Sequence, residues 1–204
     1  MTIHYPNGKS YLQSKQPKSL SQDNNTSFSR RGMSLEAELN DANAYYLATG
    51  QAVVHKKPTP IQIVKVDYPQ RSKAIIREAY FRQPSTTDYN GVYRGFYLDF
   101  DAKETKNKTA FPFRNFHAHQ IEHMRQCLQQ QAICFAIIRF VIYDRIFLVP
   151  ADYLISKWDE QNHGGRKSIP LTAICEHGYE IKYALNPLIP YLDAVDRFIK
   201  DIHR

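Results

Sequence analysis

The chain has 204 residues, of which 43% are hydrophobic and 13% aromatic, so it can form one domain with its own core and one appendage. Its formal net charge of +7 indicates an acidic partner, nucleic acid first and an anionic membrane second, although a basic protein without such a partner fits equally well. No apolar run reaches the about 20 residues that span a bilayer, which excludes a transmembrane helix.

The cysteines and the first 16 residues indicate the cellular compartment of the protein. The three cysteines are odd in number and unclustered, and they form neither a metal-binding nor a disulfide pattern. We expect Cys127, Cys134 and Cys175 to be core thiols in the reducing cytoplasm. Residues 1–16 lack the apolar stretch of a signal peptide, which also predicts a cytoplasmic protein.

The first two segments of the chain differ in composition. Residues 1–30 are rich in Ser, Gln, Asn and Lys and are predicted to be a disordered basic arm, either a plain tail or a DNA contact. Residues 32–50 predict a helix that Ser34 caps and Gly50 ends. Its apolar residues recur at helical spacing: Leu35, Leu39, Ala42 and Tyr46. We expect a single domain over residues 31–204.

Residues 51–81 change to an extended pattern, with two arms around the turn sequence DYPQRS. In neither arm is one set of alternate residues consistently apolar, and the segment contains many Lys and Arg residues. We therefore predict a β-hairpin at about residues 58–82 that projects from the body and binds DNA. The alternative is an edge hairpin with a solvated basic face. The expected DNA contacts are Lys56, Lys65, Arg71, Lys73 and Arg77.

The rest of the chain predicts alternating strands and helices. Strands are expected at 95–103, 132–143 and 145–150. Helices are expected at 116–130, with Asn115 as the cap, and over ADYLISKWDE and PYLDAVDRFIKDIHR, with QNHGGRKSIP as a loop between these two. This order predicts an α/β fold, in which helices pack on a sheet.

The predicted strand 95–103 carries an unusual charge pattern, because side chains on a strand alternate between two faces. One face carries Phe96, Leu98, Phe100 and Ala102. The other face carries Tyr97, Asp99, Asp101 and Lys103. Neighbouring like charges repel each other, and a strand inside a sheet rarely carries them without a partner.

A divalent cation would relieve this repulsion. Mg²⁺ takes oxygen ligands from one or two carboxylates, and Asp101 and Asp88 can supply them from opposite sides of a turn. The ion would activate a water and neutralise charge on a phosphodiester, while Lys103 stabilises the transition state. The alternative is a surface strand with an ordinary ion pair between neighbouring residues of one face.

Several ordered blocks of sequence surround this motif. Asp88 followed by Asp101-Ala102-Lys103 looks like the PD-(D/E)xK nuclease motif. The blocks RGMSLE, HKKPTPIQIV, STTDYNG, DFDAKETKNKTAFP and NFHAHQIEHM together resemble the RecU family, the Holliday junction resolvases of Gram-positive bacteria. The resemblance implies a restriction-endonuclease-like mixed sheet flanked by helices, a projecting hairpin, a homodimer, and cutting of four-way junction DNA that depends on Mg²⁺, with Mn²⁺ as a substitute.

The resemblance also assigns roles to single residues. The implied metal ligands are Thr86, Asp88, Asp101 and Gln120, and Lys103 is the implied transition-state stabiliser. The family usually has Glu where this chain has Asp101. The shorter arm withdraws the carboxylate by about 1.5 Å, enough to alter the octahedral geometry that Mg²⁺ demands.

Three other polar positions have alternative explanations. Gln120 lies on the face of its predicted helix that packs on the sheet, either to approach the acidic strand or as a polar residue at a helix interface. Glu36 is an auxiliary acid in the resembled fold, and charge compensation at a helix N-terminus explains it as well. His119 and His123 are one turn apart and could bind zinc, but no third ligand is evident.

Two classes of function therefore compete. The first is a structure-selective endonuclease that makes paired nicks in Holliday junctions during recombination and repair. The second is a DNA-binding accessory protein that remodels junctions or modulates a recombinase with little cleavage. A restriction-type nuclease on the same fold is a third possibility. Recombinases or branch-migration proteins are expected partners, and no membrane is. The acidic cluster separates the first two classes, since a pure DNA binder has no use for carboxylates facing phosphate.

Overall fold

The structure, a computed structural model, describes residues 33–70, 73–81 and 86–202. The predicted arm at 1–30 and the predicted DNA contact Arg71 lie outside the described residues, so both stay predictions. No helix in the described part of the chain has the length and apolarity to span a membrane.

Ten strands and five α-helices follow one another along the described chain. The strands are β1 (Val53–Lys56), β2 (Ile61–Gln70), β3 (Lys73–Phe81), β4 (Tyr89–Tyr93), β5 (Phe96–Thr105), β6 (Ala110–Pro112), β7 (Ile133–Phe140), β8 (Arg145–Pro150), β9 (Ser168–Pro170) and β10 (Tyr179–Ile181). The helices are α1 (Leu35–Ala48), α2 (Ala118–Gln129), α3 (Ala151–Asn162), α4 (Leu171–His177) and α5 (Tyr191–Ile202).

Six of the strands form the central sheet, in the order β1-β4-β5-β7-β8-β10. The β5–β7 pair is parallel and the other four pairs are antiparallel. Residues of α1 and α5 share one buried apolar cluster with one face of the sheet, and residues of α2, α3 and α4 share a second cluster with the other face. The predicted mixed sheet flanked by helices is therefore confirmed.

A stack of aromatic rings fixes the faces of β5. Phe100 lies between its cross-strand partners Tyr89 and Phe135, with ring centroids 4.9 and 4.7 Å apart and nearly parallel planes. All three side chains are completely buried. Because β5 alternates, this stack directs Asp99 and Asp101 to the opposite face, as the sequence predicts.

A two-residue turn sets the register between β4 and β5. Arg94 and Gly95 connect the strands and have φ values of 49° and 83°, the left-handed conformation that such hairpin turns need. The resulting register places Tyr89 opposite Phe100. Asp88, one residue before β4, therefore lies at the level of Asp101.

The basic hairpin is a separate two-stranded sheet. Strands β2 and β3 pair with each other, with several register shifts, and not with the central sheet. Apart from Val66 and Asp67, the side chains described on these strands are exposed. This outcome agrees with the weak alternation of the sequence, since neither face of β2 and β3 is apolar enough to be buried.

Several predicted boundaries are correct and others are not. Ser34 caps α1 as predicted, by accepting a hydrogen bond from the backbone N–H of Ala37. Helix α2 is capped by His117 instead of Asn115, which lies in a 3-10 turn and donates its amide to the Glu104 carbonyl. Strand β7 ends at Phe140, because residues 141–144 turn to form a hairpin with β8.

The aromatic stack gives a prediction about stability. Phe100→Ala removes the central ring and leaves a cavity between Tyr89 and Phe135, so we expect the free energy of unfolding to fall by about 3–5 kcal/mol. Val92→Ala on the neighbouring strand is the control, since Val92 is half exposed, and should change it by less than about 1 kcal/mol. Urea denaturation followed by circular dichroism measures both values. Similar decreases in the two variants would contradict the role of the stack.

Candidate active site

Two carboxylates and a lysine meet at the middle of β5. Lys103 Nζ lies 2.9 Å from Asp101 Oδ1 and 3.5 Å from Asp88 Oδ2. Asp101 is fully buried, and the side chains of Asp88 and Lys103 are partly exposed. The antiparallel register of β4 and β5 thus brings together the three residues that the sequence motif predicts as catalytic.

Burial and the short distance between the two acids shift their pKa values in opposite directions. Burial, together with a hydrogen bond shared with Asp88, raises the pKa of Asp101 well above its ordinary value. Burial opposes ionisation of Asp88 too, but the hydrogen bond with Asp101 and the charge of Lys103 outweigh it and lower the pKa of Asp88. A proton shared by the pair is therefore held more tightly by Asp101 than by Asp88.

One oxygen of Asp101 fits a cation. Its Oδ2 is buried and receives no hydrogen bond from any described residue, whereas Oδ1 accepts one from Lys103. A buried oxygen without a donor is costly unless it meets a cation or water. The donor set of Asp101 and Asp88, two hard oxygen ligands, is of the kind that binds Mg²⁺ or Mn²⁺.

Lys103 is held against an aromatic ring. Its ammonium lies 5.7 Å from the centroid of the Phe116 ring, and Phe116 is buried. The amine thus approaches the acids from the side of the segment before α2. Phe116 also lines a cleft of about 690 Å³ together with Arg114, Trp158 and Lys167, so a basic and aromatic surface opens beside Lys103. The sequence patterns gave no indication of this cleft.

The other predicted ligands, Thr86 and Gln120, have different contacts. The Thr86 hydroxyl donates to the carbonyl of Thr87 at 3.3 Å. Gln120 is buried, and its side-chain oxygen accepts the backbone N–H of His117 at 3.0 Å. Gln120 is the third residue of α2, so this bond completes a capping box that fixes the start of the helix. Their role as metal ligands stays a prediction.

The predicted auxiliary acid Glu36 and three of the predicted DNA contacts, Lys56, Lys65 and Arg77, lie on the surface. Glu36 forms an ion pair with Lys56, and both side chains are about half exposed. On the hairpin, Lys65 is exposed, and Arg77 forms an ion pair with Asp67 at 2.7 Å. Lys73 begins β3.

A second buried carboxylate, Asp99, has its own set of partners. Lys57 Nζ lies 2.7 Å from Asp99 Oδ2, and Tyr97 and His123 lie 3.2 and 3.3 Å from the same oxygen. The Thr87 hydroxyl donates to Asp99 Oδ1. The sequence motif assigns neither Asp99 nor Lys57 a role at the site. Alternation on β5 places Asp99 beside Asp101, but nothing local indicates Lys57, which lies far away in sequence.

His119 and His123, the pair that could have bound zinc, do not form the group with metal-like spacing. The ring of His119 stacks on that of His117, with centroids 5.3 Å apart. His123 instead joins Asp99 and Cys127, whose ligand atoms all lie within 4.8 Å of one another, a spacing that could hold a metal ion. The prediction that all three cysteines are core thiols is wrong, because Cys134 is buried, Cys127 is half-buried and Cys175 is exposed.

Comparison with known proteins identifies the family. The family model described as RecU, Recombination protein U, matches residues 30–197. The chain belongs to the RecU family. A Holliday junction resolvase RecU of Lactiplantibacillus plantarum is 65% identical over 202 residues, with 98% of each chain covered. The RecU resolvases of Latilactobacillus sakei and Limosilactobacillus reuteri are each 60% identical, over 100% and 98% of this chain and 99% and 98% of theirs.

Family membership confirms the resemblance drawn from the sequence blocks. The match covers the whole central sheet and all five helices apart from the last residues of α5. The structure thus brings into contact Asp88, Asp101 and Lys103, the residues that resemble the PD-(D/E)xK motif.

Proposed function

We propose that this protein is a structure-selective endonuclease that resolves Holliday junctions by paired nicks in recombination and repair. The observation that carries the proposal is the triad of Asp88, Asp101 and Lys103, built on a buried strand in a chain of the RecU family. A protein that only binds junctions gains nothing from two neighbouring acids of which one, Asp101, is fully buried. The cost of burying that acid is explained if the pair serves chemistry.

The divalent ion of the proposal is Mg²⁺, with Mn²⁺ as a substitute. Asp88 and the free Oδ2 of Asp101 would hold it, with Thr86 and Gln120 as further oxygen ligands. When bound, such an ion orients and ionises a water and neutralises charge on the phosphodiester.

The residues of the chain supply the remaining parts of the mechanism. Lys103 donates to Oδ1 of Asp101 and lies 3.5 Å from Asp88, so its ammonium is held directly beside the proposed metal ligands. From there it can donate to a non-bridging phosphate oxygen as negative charge builds in the transition state. The cleft beside Phe116, with Arg114 and Lys167, is a surface on which the phosphate backbone of the cut strand can lie.

Junction selectivity requires two such sites. A homodimer related by a two-fold axis suits a junction of near two-fold symmetry and allows paired nicks in opposing strands. We further propose that the basic hairpin of β2 and β3 contacts the junction centre, where four phosphate backbones converge. The exposed side chains of both strands support this assignment. The proposed site of action is the cytoplasm, with recombination proteins as partners.

The first test removes the catalytic groups. Asp88→Ala takes away a metal ligand and Lys103→Ala takes away the transition-state cation, so each should lower the nicking rate of a four-way junction at least about 100-fold. Junction binding in Ca²⁺ should persist, because neither change affects the hairpin. Lys182→Ala, an exposed lysine after β10, is the matched control. Full cleavage by either variant in Mg²⁺ would remove the triad from the mechanism.

The second test restores the acid that the RecU family usually carries. Asp101→Glu lengthens the arm by about 1.5 Å, and we expect an active enzyme whose half-saturating Mg²⁺ concentration is lower than that of the wild type. The measurement is the nicking rate over a Mg²⁺ series. A folded, DNA-binding variant without cleavage would show that the buried site is adapted to the shorter side chain.

The third test concerns the hairpin. If Arg71 and Lys73 bind phosphates at the junction centre, the double variant Arg71→Ala, Lys73→Ala should weaken junction binding more than duplex binding. The slope of log affinity against log salt should fall by about one unit for each phosphate that the variant no longer binds. Binding to both DNAs at several salt concentrations gives the comparison. An equal weakening on the two substrates would mean that the body of the protein, not the hairpin, reads the junction.

A further inference from the structure

The proposed mechanism leaves the second buried carboxylate of β5 without a task. Asp99 is fully buried on the same face as Asp101 and lies two residues before it. A carboxylate in this position costs several kcal/mol unless a cation and hydrogen bonds compensate it. The contacts of Asp99 therefore indicate its structural role.

The cation beside Asp99 is Lys57. The Lys57 ammonium lies 2.7 Å from Asp99 Oδ2 and 3.5 Å from His123 Nε2, which puts it among the atoms of the group of Asp99, His123 and Cys127. A metal ion in this group would have to take the place of the Lys57 ammonium at Asp99 Oδ2, because two cations on one buried oxygen repel each other strongly. The metal-like spacing of the group is thus explained by a resident lysine.

Lys57 also holds the segment that carries the proposed metal ligands. Its ammonium donates to Thr87 Oγ1 at 2.9 Å, and its backbone N–H donates to the carbonyl of Asp88 at 2.8 Å. The Thr87 hydroxyl in turn donates to Asp99 Oδ1. Thr87, which is buried, is therefore attached to both partners of the ion pair.

Thr87 is the one residue between the proposed ligands Thr86 and Asp88. Thr86 and Asp88 lie in bends on either side of Thr87, so a Thr87 that is held by its side chain restricts the positions of both neighbours. A displacement of Asp88 by about 1 Å would be large for Mg²⁺, which demands near-ideal octahedral geometry. The position of Asp88 beside Asp101 therefore depends on side chains that never touch the ion.

We infer that Lys57 is a positioning residue for the metal site: its ammonium, held by Asp99, fixes Thr87 and so places Asp88 for metal binding. This inference rests on the proposed function, because it assumes that Asp88 binds the ion. Groups behind the direct ligands commonly change metal affinity by about 10–100-fold when they are removed. Loss of the Lys57 ammonium should therefore weaken metal binding. It should leave junction binding and the nicking rate at saturating metal unchanged.

The main experiment separates metal affinity from the maximal rate. Lys57→Met keeps most of the side-chain length and removes the charge, and Lys57→Arg keeps the charge. Lys200→Met, an exposed lysine on α5, is the matched control for the loss of one charge. Two quantities are measured: Mn²⁺ binding to the protein without DNA, by electron paramagnetic resonance, and the Mg²⁺ dependence of nicking on a saturating four-way junction.

We expect Lys57→Met to raise both the Mn²⁺ dissociation constant and the half-saturating Mg²⁺ concentration at least about tenfold. Its rate at high Mg²⁺ should approach that of the wild type, and its junction affinity in EDTA should be unchanged. Lys57→Arg should recover part of the metal affinity, and Lys200→Met should resemble the wild type. A Lys57→Met variant with both metal constants within about twofold of the wild type would overturn the inference.

A second variant covers the case in which Lys57→Met unfolds because it leaves Asp99 unpaired. Asp99→Asn keeps the shape of the side chain and removes the charge that holds Lys57, so it should shift the two metal constants in the same direction. The double variant should be no worse than Lys57→Met alone, since both changes act through one hydrogen-bonded network. Additive effects would show that the two residues act separately and would contradict the inference.

Two further outcomes distinguish a failure of the inference from a failure of the proposed function. A wild type that neither binds Mn²⁺ nor nicks junctions would refute the proposed function, whatever the variants do. A wild type that nicks junctions but binds one Zn²⁺ per chain, absent in Cys127→Ser, would show that Asp99, His123 and Cys127 form a metal site. In that case Lys57 would not be the resident cation and the inference would fail.

Discussion

Each of the two buried carboxylates on β5 is neutralised by one lysine, and the site depends on these two ion pairs. Lys57 lies 2.7 Å from Asp99, and Lys103 lies 2.9 Å from Asp101. Neither acid could be buried on a central strand without such a partner. The stacked rings of Tyr89, Phe100 and Phe135 hold the opposite face of the same strands, so a slip of one residue would turn the acids of β5 into the apolar cluster and the rings toward the site.

The acids of the two ion pairs differ in their capacity to bind a further ligand. Asp99 is surrounded by donors from Lys57, Thr87 and Tyr97, and so it has little capacity for another ligand. Asp101 has one donor and a buried oxygen without one. Two chemically identical acids, two residues apart on one face, are thus suited to different tasks: one to holding the protein chain and one to holding an ion.

The sequence was sufficient for the features that depend on local periodicity. Alternation on 95–103 places Phe100 and Asp101 on opposite faces, and helical spacing with Ser34 predicts α1, because both patterns repeat within a few residues. The partner of Asp99 could not be predicted, since Lys57 is 42 residues away and belongs, by sequence, with the cations near the hairpin. The capping role of Gln120 depends on where α2 begins, which sequence patterns placed too early.

Gln120 connects helix formation with the proposed metal site. Its side-chain oxygen has two lone pairs, and one accepts the N–H of His117. The second remains available to a cation, so ligation and capping need not exclude each other.

The root of the hairpin lies beside Asp88. A cavity of about 250 Å³ there is lined by Lys57, the connection 58–60 and the segment 86–88. The chain leaves the central sheet at Lys57, forms β2 and β3, and returns at Thr86. The hydrogen bond between Lys57 and Thr87 therefore joins the two ends of the hairpin segment. The proposed DNA-binding hairpin thus begins and ends beside Asp88, one of the proposed metal ligands.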